Sequence, residues 1–310
     1  MEPMPTTGPA APRRWRDRLR RHPVVAYFVL TFAISWTGAL LVAAPRLLRG
    51  KALSQMDGLV MFPVMLLGPS LTGLFLARVV DGPPGPRLLL ARMARSGPRR
   101  FLWVLLLPPL VLLCVLLGMR TMVSLAYTPN LWLLGLTFGV PAGVLEEIGW
   151  TGFALPKMKG GQDALSSAVL LGVLWGCWHL PVITWLGTAV PHGAYWFRYF
   201  LAFAAAMVAM RVVIAWVYAN TQSLLLAQLL HVSSTGALVM LSPPRVTAAQ
   251  EVAWYFVYAG ALWIVVAIIA LRYGRSLGPG SAQAWTAALP EARRINPAAP
   301  LPNRRGHVRA

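Results

Sequence analysis

Eight stretches of mostly apolar residues dominate the chain, near 23–44, 58–79, 101–119, 131–150, 164–185, 197–218, 223–242 and 252–272. A helix of about 20 apolar residues spans the hydrocarbon core of a bilayer. The stretches therefore predict an all-α, polytopic membrane helix bundle of about eight transmembrane helices. Composition agrees. Hydrophobic types make up 57% of the 310 residues and charged types only 12%, whereas soluble domains are nearer half apolar and a quarter charged. The first apolar run is longer than the h-region of a cleaved leader, roughly 7–15 residues, so it reads as a retained anchor. Three parts follow: a basic tail over 1–22, a helical domain over 23–272, and a Pro/Ala/Arg-rich tail over 273–310. Both tails read as mobile.

The formal net charge of +19 invites comparison with nucleic-acid binders. Placement argues for topology instead. Of the 28 Lys+Arg, twenty-one fall on one side of the eight spans, in the two tails and the loops around 78–100 and 157–159, and five on the other. Basic residues gather in cytoplasmic loops, so both termini are expected in the cytoplasm of a multi-pass cell-membrane protein. No nucleic-acid-binding pattern accompanies the charge. Cys114 and Cys177 lie in apolar runs and form no zinc or disulfide pattern. There is no HExxH and no GxSxG, and the C-terminal residues form no prenylation box.

Ionisable residues inside a membrane are costly and mark function. The nine Asp+Glu fall mostly in tails and loops; only Glu146 and Glu147 lie in a predicted span. Of the five histidines, His179 and His231 lie in spans, while His22, His192 and His307 do not. Adjacent helical carboxylates point about 100° apart, so Glu146 and Glu147 cannot share one small site equally. A glutamate in an apolar pocket serves as a base for water, and a histidine can share the proton or bond an oxyanion. Glu146, His179 and His231 would equally make a zinc donor set, and all four would equally serve as polar glue between helices. Trp175 lies four residues before His179, and Thr235 four after His231, each pair on one helix face. Pro181 is expected to end or kink its helix beside His179, and Pro141 to do the same ahead of Glu146. Gly135, Gly139 and Gly143, with Gly172 and Gly176, predict close packing of segments four and five.

The three stretches EEIGWTGFAL (146–155), WGCWHLP (175–181) and SLLLAQLLH (223–231) resemble the motifs of the CAAX protease and bacteriocin-processing family, intramembrane endopeptidases related to the type II CAAX prenyl protease. The family pattern is EExxxR, then FxxxH or WxxxH, then HxxxN or a variant, and the resemblance covers about residues 130–242. It implies that Glu146 and His179 activate water, that His231 stabilises the oxyanion and that Glu147 is the supporting acid, acting on a peptide or protein substrate at the bilayer. A divalent metal such as zinc is the open cofactor question. Two positions depart from the pattern: Thr151 stands for the arginine and Thr235 for the asparagine. Arg198 or Arg211 of segment six are the candidate substitutes for the missing cation. Two competing readings stay open. One is a weakened homologue acting as an immunity or peptide-binding protein; the other is a proton-coupled transporter.

Overall fold

The computed structural model describes residues 14–158 and 163–278. The expectations for residues 1–13 and for the C-terminal tail beyond 278, with His307, lie outside the described residues. Among the described residues every element is helical.

The chain opens with α1 (Arg14–Arg21), α2 (Pro23–Leu47), α3 (Gln55–Met65), α4 (Leu67–Val80) and α5 (Gly85–Ala91). Next comes a 3₁₀ stretch that leads into α6 (Leu107–Met122). The fourth apolar segment is composite: α7 (Leu134–Pro141), a π-helical stretch Ala142–Glu146, α8 (Glu147–Gly149), a second π stretch Trp150–Ala154 and α9 (Leu155–Met158). Then follow α10 (Ala164–Trp178), α11 (Trp196–Thr221), α12 (Leu224–Leu241) and α13 (Ala248–Tyr273).

All eight predicted segments are helical, but six helical stretches are long and apolar enough to cross a bilayer: Pro23–Leu47, Gln55–Val80, Arg99–Met122, Gly193–Thr221, Leu224–Leu241 and Ala248–Ser276. The fourth segment is broken by its π stretches. The fifth stops at Trp178 rather than near 185, because Pro181 cannot continue it. The basic segment before the first span also differs from expectation. Residues 14–21 are helical, and Arg20 Nε donates to Val79 O of α4 at 2.9 Å. Arginine and leucine are good helix formers, and the contact with α4 holds the short helix down.

Large apolar side chains such as Leu41, Ile264 and Leu271 are exposed, while the mostly apolar interior also holds Thr31, Ser35, Thr72, Glu147 and Arg211. That pattern suits a lipid environment, where polar groups must find partners inside the bundle. The central helix is α11, against which α10, α12 and α13 all pack. Residues Ala206–Ala219 are buried on every side, and Arg211 is their one charge.

The small-residue spacing does bring helices close, but with different partners from those expected. A Cβ on Gly135, Gly139 or Gly143 would meet the backbone of α12 (Gly236 O at 2.4 Å, Val232 O at 2.7 Å, Val232 N at 2.6 Å). Segment four therefore packs on segment seven. Gly172 and Gly176 face Val208 and Ala204 of α11, so segment five packs on segment six. Periodicity identifies a face for close approach but not the helix that approaches it.

At the start of α10, Asp163 is the N-cap. Its Oδ1 accepts from Ser166 N at 2.9 Å and its Oδ2 from Arg275 Nη2 at 2.8 Å. The Ser166 amide chiefly, with the Arg275 guanidinium, pulls the Asp163 carboxyl down to about 2. A folded-state value below the unfolded one means the stabilisation is complete above about pH 4 and is lost as pH falls towards the folded value. Asp163→Ala is expected to lower the thermal midpoint at neutral pH and to flatten its decline in acid, as read by melts across that range.

Candidate active site

The α11–α12 connection sets the depth of two site residues. Gln222 closes α11 in the left-handed conformation at φ 52°, and Ser223 caps α12 through Leu226 N at 3.1 Å. Arg211 and His231 lie at comparable distances either side of this tight turn. At about 1.5 Å rise per residue they reach nearly the same level in two antiparallel helices.

The fourth segment brings its carboxylates to that level through the π stretch ending at Glu146. Pro141, without an N–H, precedes it. The i→i+5 pattern widens the turn, and neighbouring side chains meet its carbonyls. Gln228 Nε2 donates to Val144 O at 2.9 Å, and Ser70 Oγ to Leu145 O. Gly149 then lets the segment lie against α4, since a Cβ there would meet Pro69 O at 2.2 Å.

Glu146 and Glu147 are both fully buried but hold different partners. Glu146 Oε2 accepts from two indoles, Trp150 Nε1 at 3.0 Å and Trp175 Nε1 at 2.6 Å. Its Oε1 takes no hydrogen bond among the described residues. Glu147 meets cations. Arg211 Nη1 donates to its Oε2 at 2.9 Å and Nη2 lies 2.8 Å from Oε1. His231 Nδ1 is 2.7 Å from Oε1, and Thr151 Oγ1 donates to Oε2. The expectation that the two acids do not share one environment agrees with this division.

Trp175 joins the two sets. The Arg211 guanidinium lies 4.3 Å from its ring centroid, within cation–π range. His231 and His179 approach the same ring edge-on at 5.1 and 5.7 Å. His179 sits just past the end of α10, against Trp178 at 4.9 Å and Phe203 at 5.1 Å. Its Nδ1 is 2.8 Å from Trp175 O. A carbonyl only accepts, so Nδ1 carries the proton, and neutral His179 presents an unprotonated Nε2.

The structure thus gathers Glu146, Glu147, His179, His231, Trp175 and Thr151. Thr235 is half-buried and hydrogen-bonds none of them among the described residues. Of the two candidate substitute cations, Arg211 meets Glu147, while Arg198 lies over Tyr195 near the start of α11. Sequence reasoning passed over Trp150 as a site residue, although it stands four residues after Glu146. It also placed Glu251 outside the spans, whereas its placement of His192 in a loop agrees with the structure. Glu251 lies in α13, fully buried, with its Oε2 3.0 Å from His192 Nε2. Among the described residues no three His, Cys, Asp or Glu side chains group as metal ligands. Glu147 and a carbonyl engage His231 Nδ1 and His179 Nδ1, the arrangement in which a histidine offers its Nε2.

Comparison with known proteins follows the same residues. A sequence model described as Type II CAAX prenyl endopeptidase Rce1-like matches residues 128–237, the span holding all three motifs. The CAAX prenyl protease 2 of Methanococcus maripaludis is 26% identical over 188 residues, covering 54% of this chain and 63% of that protein. Fold and site together define a polytopic helical membrane protein with a buried Glu/His centre. Over these motif-bearing residues the chain is similar to the type II CAAX prenyl endopeptidases.

Proposed function

We propose that the chain is an intramembrane endopeptidase that cleaves a peptide or protein tail at the cell membrane. The observation that carries this reading is the pairing of a carboxylate fixed on one oxygen with an imidazole of defined tautomer. Two indole N–H groups hold Glu146 Oε2, so Oε1 is the oxygen that orients water. His179 Nε2 is the lone pair that takes the proton as water attacks the scissile carbonyl. His231 is the oxyanion donor. Glu147 Oε1, 2.7 Å from His231 Nδ1, orients the ring for that role. Glu147 is the supporting acid, held by Arg211 and Thr151.

No step requires a metal, and none is routed through one. The weakened-homologue reading rests on Thr151 and Thr235. Arg211 supplies the cation that Thr151 lacks, which favours an active enzyme. The relative's name makes a C-terminal prenylated tail the first substrate to try. The basic-residue distribution supports both termini in the cytoplasm, where such a tail would arrive.

The test is cleavage in proteoliposomes by the wild-type chain and by His179→Ala. Wild-type turnover that is lost in His179→Ala is expected. Equal cleavage by both would remove the proposal.

A further inference from the structure

A second feature lies away from the Glu/His centre, where α1 meets the end of α4. A cavity of about 500 Å³ opens there, lined by Trp15, Arg16, Arg20, Phe75, Arg78 and Val79 among others. Three of its lining residues are arginines and none is a carboxylate. Asp81, the nearest acid in α4's sequence, is engaged by Lys157 Nζ at 2.5 Å. Arg20 is fixed by its bond to Val79 O, and the Arg16 guanidinium lies 5.2 Å from the Trp15 ring centroid.

The position is informative. Pro23 starts the first apolar span and Val80 ends the second, so the cavity lies at the end of two adjacent spans, at interface depth. Below it on α4, Phe75, Leu71 and Leu67 recur at spacing four and are all about half exposed. That spacing makes one continuous outward apolar stripe running from the cavity down the span. A cationic cup above such a stripe matches a molecule with an anionic head and a hydrocarbon tail.

We propose that this cavity binds an anionic phospholipid, with its phosphate among Arg16, Arg20 and Arg78 and an acyl chain along Phe75, Leu71 and Leu67. Guanidinium groups match phosphate oxygens in geometry as well as charge. Trp15 sits at headgroup level, where indoles favour the interface. The site rests on the membrane placement of the chain and is independent of the peptidase reading.

The experiment is native mass spectrometry of the purified protein with equimolar phosphatidylglycerol and phosphatidylcholine. Wild-type protein is expected to retain phosphatidylglycerol selectively. Arg78→Gln should lower that retention about five-fold, the equivalent of roughly 1 kcal/mol for one basic residue near an anionic surface. Arg16→Gln/Arg20→Gln/Arg78→Gln should abolish it. The control Arg87→Gln/Arg99→Gln/Arg100→Gln removes equal charge from the same expected side and should leave retention at the wild-type value. Equal loss in the control triple would overturn the proposal in favour of diffuse charge. Equal retention of phosphatidylcholine would also overturn it. Displacement of the lipid by excess inorganic phosphate would identify a free-phosphate site instead. Arg78 makes no hydrogen bond or ion pair with the described residues, so the single variant keeps the test valid should the triple fail to fold.

Discussion

Arg211→Met is expected to unfold or inactivate the protein, and Thr151→Arg in the same chain is expected to restore part of both stability and cleavage. Arg211 and Glu147 are fully buried and paired, Nη1 by a hydrogen bond and Nη2 by ion-pair contact. Removing one partner of a buried pair leaves an uncompensated charge and costs about 3–5 kcal/mol. Methionine fills much of the vacated volume and adapts to irregular space, so the loss reads the charge more than a cavity. Thr151 is the position where the family pattern carries its arginine. Its hydroxyl donates to Glu147 Oε2 and lies 3.4 Å from Arg211 Nη1. An arginine at 151 would therefore approach the same carboxylate from the fourth segment. The measurement is the thermal midpoint in detergent, followed by cleavage in proteoliposomes. If Arg211→Met keeps wild-type stability and turnover, the relocated cation has no such role.

The second large effect is expected at Glu146. Glu146→Gln preserves shape and still accepts from Trp150 and Trp175, but it removes the carboxylate proposed to orient the attacking water. Losing one member of an acid–base pair costs about 10²–10⁴ in rate. The thermal midpoint should stay near the wild-type value, because Glu146 bonds only neutral indoles. Retained cleavage in Glu146→Gln would remove Glu146 from the water-activating pair and leave His179 to act alone.

Much of this arrangement was legible in the sequence because membranes make ionisable residues expensive. Glu146, Glu147, His179 and His231 stood out as interior acid–base groups, and the structure gathers all four around Trp175. Ends of helices were legible where proline dictates them, as at Pro181. Partners were not. The glycines of segment four announced a close contact but not that α12 would make it, since spacing describes one surface and contact needs two. Arg211 was readable as a charge within a core helix, whereas its alignment with Glu147 depends on the α11–α12 turn at Gln222. Trp150 hid in plain view: an indole four residues after Glu146 reads as packing until its N–H is seen to point at the carboxylate. Glu251 was missed through a boundary, its helix beginning at Ala248 rather than 252. The π stretches had no sequence signal beyond Pro141.

The proposed function divides the labour between two adjacent carboxylates, Glu146 for water and Glu147 for anchoring Arg211 and His231. The direct measurement compares Glu146→Gln with Glu147→Gln in parallel, by single-turnover cleavage in proteoliposomes and by thermal midpoint. Glu146→Gln is predicted to lose cleavage while melting with the wild type. Glu147→Gln is predicted to melt well below it, because Arg211 is left as a buried charge without its partner. Full cleavage by Glu146→Gln, or a Glu147→Gln protein as stable as the wild type, would contradict the account.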